Sequence, residues 1–128
     1  IGWVSSTITW TATSSGITGN TNIASTSVAS AATLVIADAN RSDISAVGEY
    51  CHITVFCDFA TVSKDTIFFN IPLMSLSTTA EKQTTATHEL GHALGLAHSF
   101  WGNILYPIQT SQTSLGSQDI KDYNYLYP

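Results

Sequence analysis

Residues 88–98 read H-E-L-G-H-A-L-G-L-A-H and hold three of the chain's four histidines. Their spacing constrains the fold more than any other stretch. His88 and His92 are four apart, so on a helix both imidazoles leave one face, a turn from each other. On an unbroken helix His98 would stand about 15 Å further along the axis than His88, at roughly 1.5 Å per residue. The three rings can meet only if the helix stops and the chain turns back. Gly95 lies between the second and third histidines, and glycine takes the left-handed conformation that ends a helix without a Cβ penalty. The pattern therefore predicts a helix that stops at Gly95 and a reversal that carries His98 back to the other two.

Three neutral imidazoles suit one zinc ion, each at about 2.0–2.1 Å, and leave the fourth tetrahedral position open to water. That open position marks a catalytic site rather than a structural one. The predicted metal ligands are His88, His92 and His98. Glu89 is rotated by about 100° from His88, so it borders the metal face without aiming at the ion. It is placed to act as general base, taking a proton from a water whose pKa zinc brings to about 7 and passing it to a leaving amine. The expected function is zinc-dependent cleavage of a protein or peptide substrate. The alternative is a zinc-binding but catalytically silent interaction module. Glu89 speaks against it, because a silent module needs no base. A structural zinc would want a fourth protein ligand, and Ser99 is a poor one. His52 is read as a polar residue on the exposed face of a strand.

The chain has 128 residues and 44% hydrophobic side chains, enough for one domain, 1–128, with one core. Only 10% of residues are charged, and Ser and Thr fill the polar positions instead, which fits a secreted, extracellular protein. The net charge of −5 and the lack of a basic run argue against a nucleic-acid partner. No apolar stretch approaches the roughly 20 residues of a membrane-spanning helix. A monomer is expected. The chain starts at Ile1 and reads as a mature or trimmed form. Cys51 and Cys57 are an even pair, as in an oxidised exported protein. On one straight strand, however, their Cα atoms would lie about 20 Å apart, against the roughly 4.4–6.8 Å of a disulfide. Either the segment loops back, or both thiols are free on one buried face with Ile53 and Val55.

Alternation of T-I-T-W-T-A predicts a strand over 7–12, followed by a turn over 14–22. Alanines and spacings near three and four over 22–39 predict a helix. Short strands are expected at 44–47, 52–56 and 66–70, the last ended by Pro72. Thr78 and Glu81 have capping-box spacing at the start of the histidine-bearing helix. A final helix spans about 117–126, with Ile120, Tyr123 and Tyr127 on one face. The class is α+β: a small mixed, twisted sheet packed on an N-terminal helix and an active-site helix, then an irregular segment and a C-terminal helix.

The extended motif, with its glycine and third histidine, resembles that of the metzincins, and the chain resembles a short bacterial matrixin-type member. N-I-L-Y-P at 103–107 is similar to the Met-turn of that family, L-G-S-Q-D-I at 115–120 to the start of its last helix, and T-I-F-F-N at 66–70 to the antiparallel edge strand lining its cleft. The resemblance implies that a peptide adds as a strand along Phe68, Phe69 and Asn70. It also implies that Tyr106, Pro107 and Ile108 border the pocket for the residue after the scissile bond. Leu105 holds the Met-turn position, where an apolar side chain forms a floor beneath the zinc; leucine has a similar volume to methionine. The only methionine, Met74, lies elsewhere. By the same resemblance Asp119, which can cap its own helix, or a neighbour of it, pairs with the amino group of Ile1. A structural zinc held by extra histidines is not expected, with only His52 to spare. Calcium has no support, because Asp38, Asp43, Asp58 and Asp65 are scattered without ligand spacing.

Overall fold

A computed structural model describes residues 26, 28–53 and 57–127. The strand expected at 7–12 and the turn after it lie outside the described residues. The chain divides into two compact units, Ala24–Ser77 and a second that includes Thr78–Pro128. The fold is α+β, with a three-stranded mixed sheet and three helices among the described residues.

The first unit holds the sheet. Strand β1 is Val35–Ala39, β2 is Gly48–Cys51 and β3 is Thr66–Asn70, in the order β1-β3-β2. β1 runs parallel to β3, with Val35 opposite Thr66, and β2 runs antiparallel to it, with Gly48 opposite Phe69. The helix expected over 22–39 is corrected from residue 28 on, residues 22–25 and 27 lying outside the described set: Ala29–Ala31 form one 3-10 turn, and Val35–Ala39 are a strand whose exposure alternates residue by residue. β-branched Val35 and Ile36 start that strand, and pairing to β3 decides its state. The strands expected at 44–47 and 52–56 are also displaced, because β2 occupies 48–51. His52 and Ile53 lie beyond its end, and Ile53 is exposed rather than buried. Residues 54–56 lie outside the described set. Cys51 and Cys57 form a disulfide with Cα atoms 5.5 Å apart, so the segment loops back.

The role of 66–70 changes most. It is the middle strand, with β1 on one edge and β2 on the other. Ile67, Phe69 and Asn70 are all buried, the near-continuous burial of a strand covered on both faces. The edge-strand expectation is overturned, since the main-chain groups of Phe68, Phe69 and Asn70 already face partner strands. The Asn70 carboxamide is also occupied. Its Nδ2 donates to Arg41 O at 2.9 Å and to Ala46 O at 3.0 Å, and its Oδ1 accepts from Arg41 N at 3.0 Å. These bonds secure the loop between β1 and β2. Phe68 stacks on Phe59 at 5.5 Å. Pro72 sits in the first turn of a short helix α1, Ile71–Met74, where a missing N–H costs nothing.

The second unit carries helix α2, Thr79–Ala93, and helix α3, Ser117–Leu126. α2 starts with the expected capping box: Glu81 N–H donates to Thr78 Oγ1 at 3.2 Å, and Thr78 N–H donates to Glu81 Oε1 at 2.8 Å. The box offsets a threonine-rich stretch, in which Thr84 and Thr87 bond back to carbonyls one turn earlier. Ala86, Leu90, Leu96, Ile104, Leu105 and Tyr123 supply the buried apolar side chains. None of the helices in the described residues is long and apolar enough to cross a membrane.

Candidate metal centre

α2 ends as its sequence requires. Gly95 has φ +99°. Its N–H donates to His92 O at 2.9 Å, and Leu96 N–H donates to Gly91 O at 3.0 Å, the paired bonds of a Schellman stop. The reversal brings His98 back to the helix. Ring centroids lie 4.6 Å apart for His88 and His92, 5.2 Å for His88 and His98, and 4.8 Å for His92 and His98. One nitrogen from each ring lies within 4.8 Å of the other two.

Hydrogen bonds to the far side of two rings fix which nitrogen faces inward. His88 Nδ1 lies 2.7 Å from Ile104 O and His92 Nδ1 lies 2.8 Å from Leu96 O. A carbonyl only accepts, so both Nδ1 atoms carry the proton and both Nε2 atoms present a lone pair. Those two Nε2 atoms stand 3.0 Å apart. Facing lone pairs repel unless a cation lies between them, so the donor set fits a divalent ion. Two ligands at about 2.05 Å in a tetrahedron would sit roughly 3.3 Å apart, close to what is seen. Glu89 is buried, and its Oε1 lies 4.0 Å from His88 Nε2, beside the metal position rather than in the ring set.

Burial holds the His88 and His92 rings neutral, as a ligand must be. It pushes His88 down to about 4, with the neighbouring His92 and His98 adding to the shift against the Ile104 hydrogen bond. It lowers His92 as well. The unfolded His88 takes a proton near pH 6.5, while the folded ring refuses it until about pH 4. Stability is therefore full above pH 6.5 and falls as pH drops toward 4. This ring accounts for a loss of roughly 3 kcal/mol. Denaturant unfolding of chelator-treated protein at pH 7 and pH 4 should show the parent losing that much more than a His88→Gln variant. Equal losses would contradict the buried neutral ring.

The segment after the third histidine closes on itself. Ser99 N–H donates to Leu105 O at 2.9 Å and Tyr106 N–H to Asn103 O at 3.2 Å. Leu105 is buried. Tyr106 is half-buried against the edge of Trp101 at 5.4 Å, while Pro107 and Ile108 are exposed. Asp119 is buried and ties this segment to α3. Its carboxylate accepts from Ile104 N at 2.6 Å, Leu105 N at 3.2 Å and Gly116 N at 2.8 Å. Burial raises its pKa against these three bonds. The capping role expected of Asp119 is thus present, while Ile1 lies outside the described residues. Sequence reasoning missed Asn103, whose Oδ1 accepts from two N–H groups of α3.

A second cluster among the described residues, Glu49, Cys51 and Cys57, has close donor atoms, but its sulfurs are joined. His52 is exposed and bonds Asp65 at 2.8 Å. Asp43 pairs with Arg41 at 2.8 Å.

A family model described as Matrixin, of the peptidases, matches residues 5–128. No curated protein and no solved structure matches the chain. With the histidine-bearing helix, its glycine stop and the returning third ring in place, the chain belongs to the matrixin family.

Proposed function

We propose that the chain is a zinc endopeptidase, secreted and acting on protein or peptide substrates. The observation that carries this reading is the convergence of two imidazole lone pairs at 3.0 Å, with a third ring closing the set and a buried carboxylate beside it. Zinc held by His88, His92 and His98 would acidify a water and polarise the scissile carbonyl. Glu89 takes the proton from the attacking water and delivers it to the leaving nitrogen. The Ile104 and Leu96 carbonyls hold the His88 and His92 rings in the tautomer that binds metal. Tyr106, Pro107 and Ile108 border the pocket for the residue after the scissile bond, and the exposure of the last two leaves them free to meet a substrate. The Cys51–Cys57 disulfide fits an extracellular setting.

Chelation tests the reading. Protein dialysed against a chelator should lose cleavage of a mixed peptide library, and one equivalent of zinc should restore it. Folded protein that takes up no zinc would reject the proposal. Uptake of zinc without any cleavage would leave the silent interaction module as the function.

A further inference from the structure

α3 begins without a side chain at its N-cap position. Gly116 is the N-cap residue, and the N–H groups of the first turn still need acceptors. Asn103, thirteen residues earlier in the chain, provides one. Its Oδ1 accepts from Gln118 N at 2.9 Å and from Asp119 N at 3.2 Å. Those are the second and third positions of the helix, the pair that an N-cap side chain ordinarily satisfies. The oxygen also lies where a side chain on Gly116 would begin, since a methyl group there would meet Asn103 Oδ1 closer than any real contact. Asn103 is itself buried, and its Nδ2 donates to Phe100 O at 3.1 Å.

The clasp is reciprocal. Asn103 takes N–H groups from α3, and α3 takes N–H groups of Ile104 and Leu105 through Asp119. A continuous chain of bonds follows: Asn103 Oδ1 to Asp119 N–H, Asp119 Oδ2 to Ile104 N–H, and Ile104 O to His88 Nδ1–H. We infer that Asn103 is a positioning residue for the metal centre. By capping α3 from the neighbouring turn it fixes the Ile104 carbonyl, and through that carbonyl the orientation of the His88 ring. The inference rests on the zinc reading above. Partners outside the ligand set that orient a ligating histidine change metal affinity by about 10–100-fold when removed.

The test measures zinc affinity of the whole chain by competition with a chromophoric chelator, at a temperature where every variant is folded. Asn103→Ala should bind zinc about 10-fold or more weakly. Asn103→Asp keeps the capping acceptor but loses the Nδ2–H donated to Phe100 O, so its affinity should fall between those of the parent and Asn103→Ala. The visible spectrum of the cobalt-loaded protein should change more for Asn103→Ala than for Asn103→Asp. Ile67→Val, which trims a buried strand residue in the other unit, supplies a control with lowered Tm and unchanged affinity. The inference fails if Asn103→Ala binds zinc like the parent, if Asn103→Asp loses as much as Asn103→Ala, or if Ile67→Val loosens zinc to the same extent. Should Asn103→Ala not fold, Asn103→Ser, a shorter acceptor, is read against Asn103→Asp by the same criteria. A parent that takes up no zinc rejects both this inference and the function it rests on. A parent that binds zinc beside an indifferent Asn103→Ala rejects this inference alone.

Discussion

Glu89→Gln should cleave peptides about 10²–10⁴-fold more slowly than the parent while keeping one zinc per chain. The range is what a positioned proton-transfer group ordinarily contributes. Glutamine keeps the size and the hydrogen-bonding reach of glutamate but cannot hold a proton between a water and a departing amine. The carboxylate is buried beside the metal position, 4.0 Å from His88 Nε2, and outside the ring set, so replacing it removes no ligand. The measurement pairs kcat/KM on a library-derived peptide with elemental analysis for zinc. A rate within about threefold of the parent, far outside that range, would move the base to another residue. A fall in zinc content would show that Glu89 helps to hold the ion.

The histidine helix was legible because its instructions are local. Thr78 and Glu81 set its start, Gly95 sets its stop, and the ring spacing follows from helical pitch. α3 was legible for the same reason. What resisted reading depends on partners far along the chain. Residues 35–39 are strand because β3 lies beside them, and the alanines that favour helix yield to that pairing. The central place of 66–70 is a matter of strand order. Even so, the unbroken apolar run I-F-F between Thr66 and Asn70 carried a hint of a strand buried on both faces. The loop-back that joins Cys51 to Cys57 runs through a turn that begins past β2, with no glycine or proline between the cysteines to announce it. Asn103 had no local signature either. An asparagine that caps a helix thirteen residues before the N-cap position looks like any loop asparagine. The one pointer was Gly116, an N-cap position with no side chain to do the capping.

Gly116→Ala is expected to be the most destabilising single-methyl change in the second unit. The backbone at Gly116 has φ −85°, which any residue adopts, so the requirement is for space rather than for conformational freedom. An added Cβ would stand 2.9 Å from Asn103 Cα and closer still to Gly102 O and Asn103 Oδ1. Two of these are backbone atoms, which cannot swing aside as the end of a flexible side chain would. Relief requires the 102–105 turn to part from the first turn of α3. That movement breaks the bonds from Asn103 to Gln118 and Asp119 and strains those from Asp119 to Ile104 and Leu105. Overpacking costs about 1–3 kcal/mol and loss of a helix cap about 1 kcal/mol more. The sum, about 3 kcal/mol, lowers Tm by roughly 10 °C in a domain of this size. Calorimetry on the metal-free protein reads the effect without help from bound zinc. Because the Ile104 carbonyl moves with the turn, zinc affinity should fall with the melting point. A Tm drop under about 2 °C, well below one such contribution, would mean that the turn and the helix are not locked together.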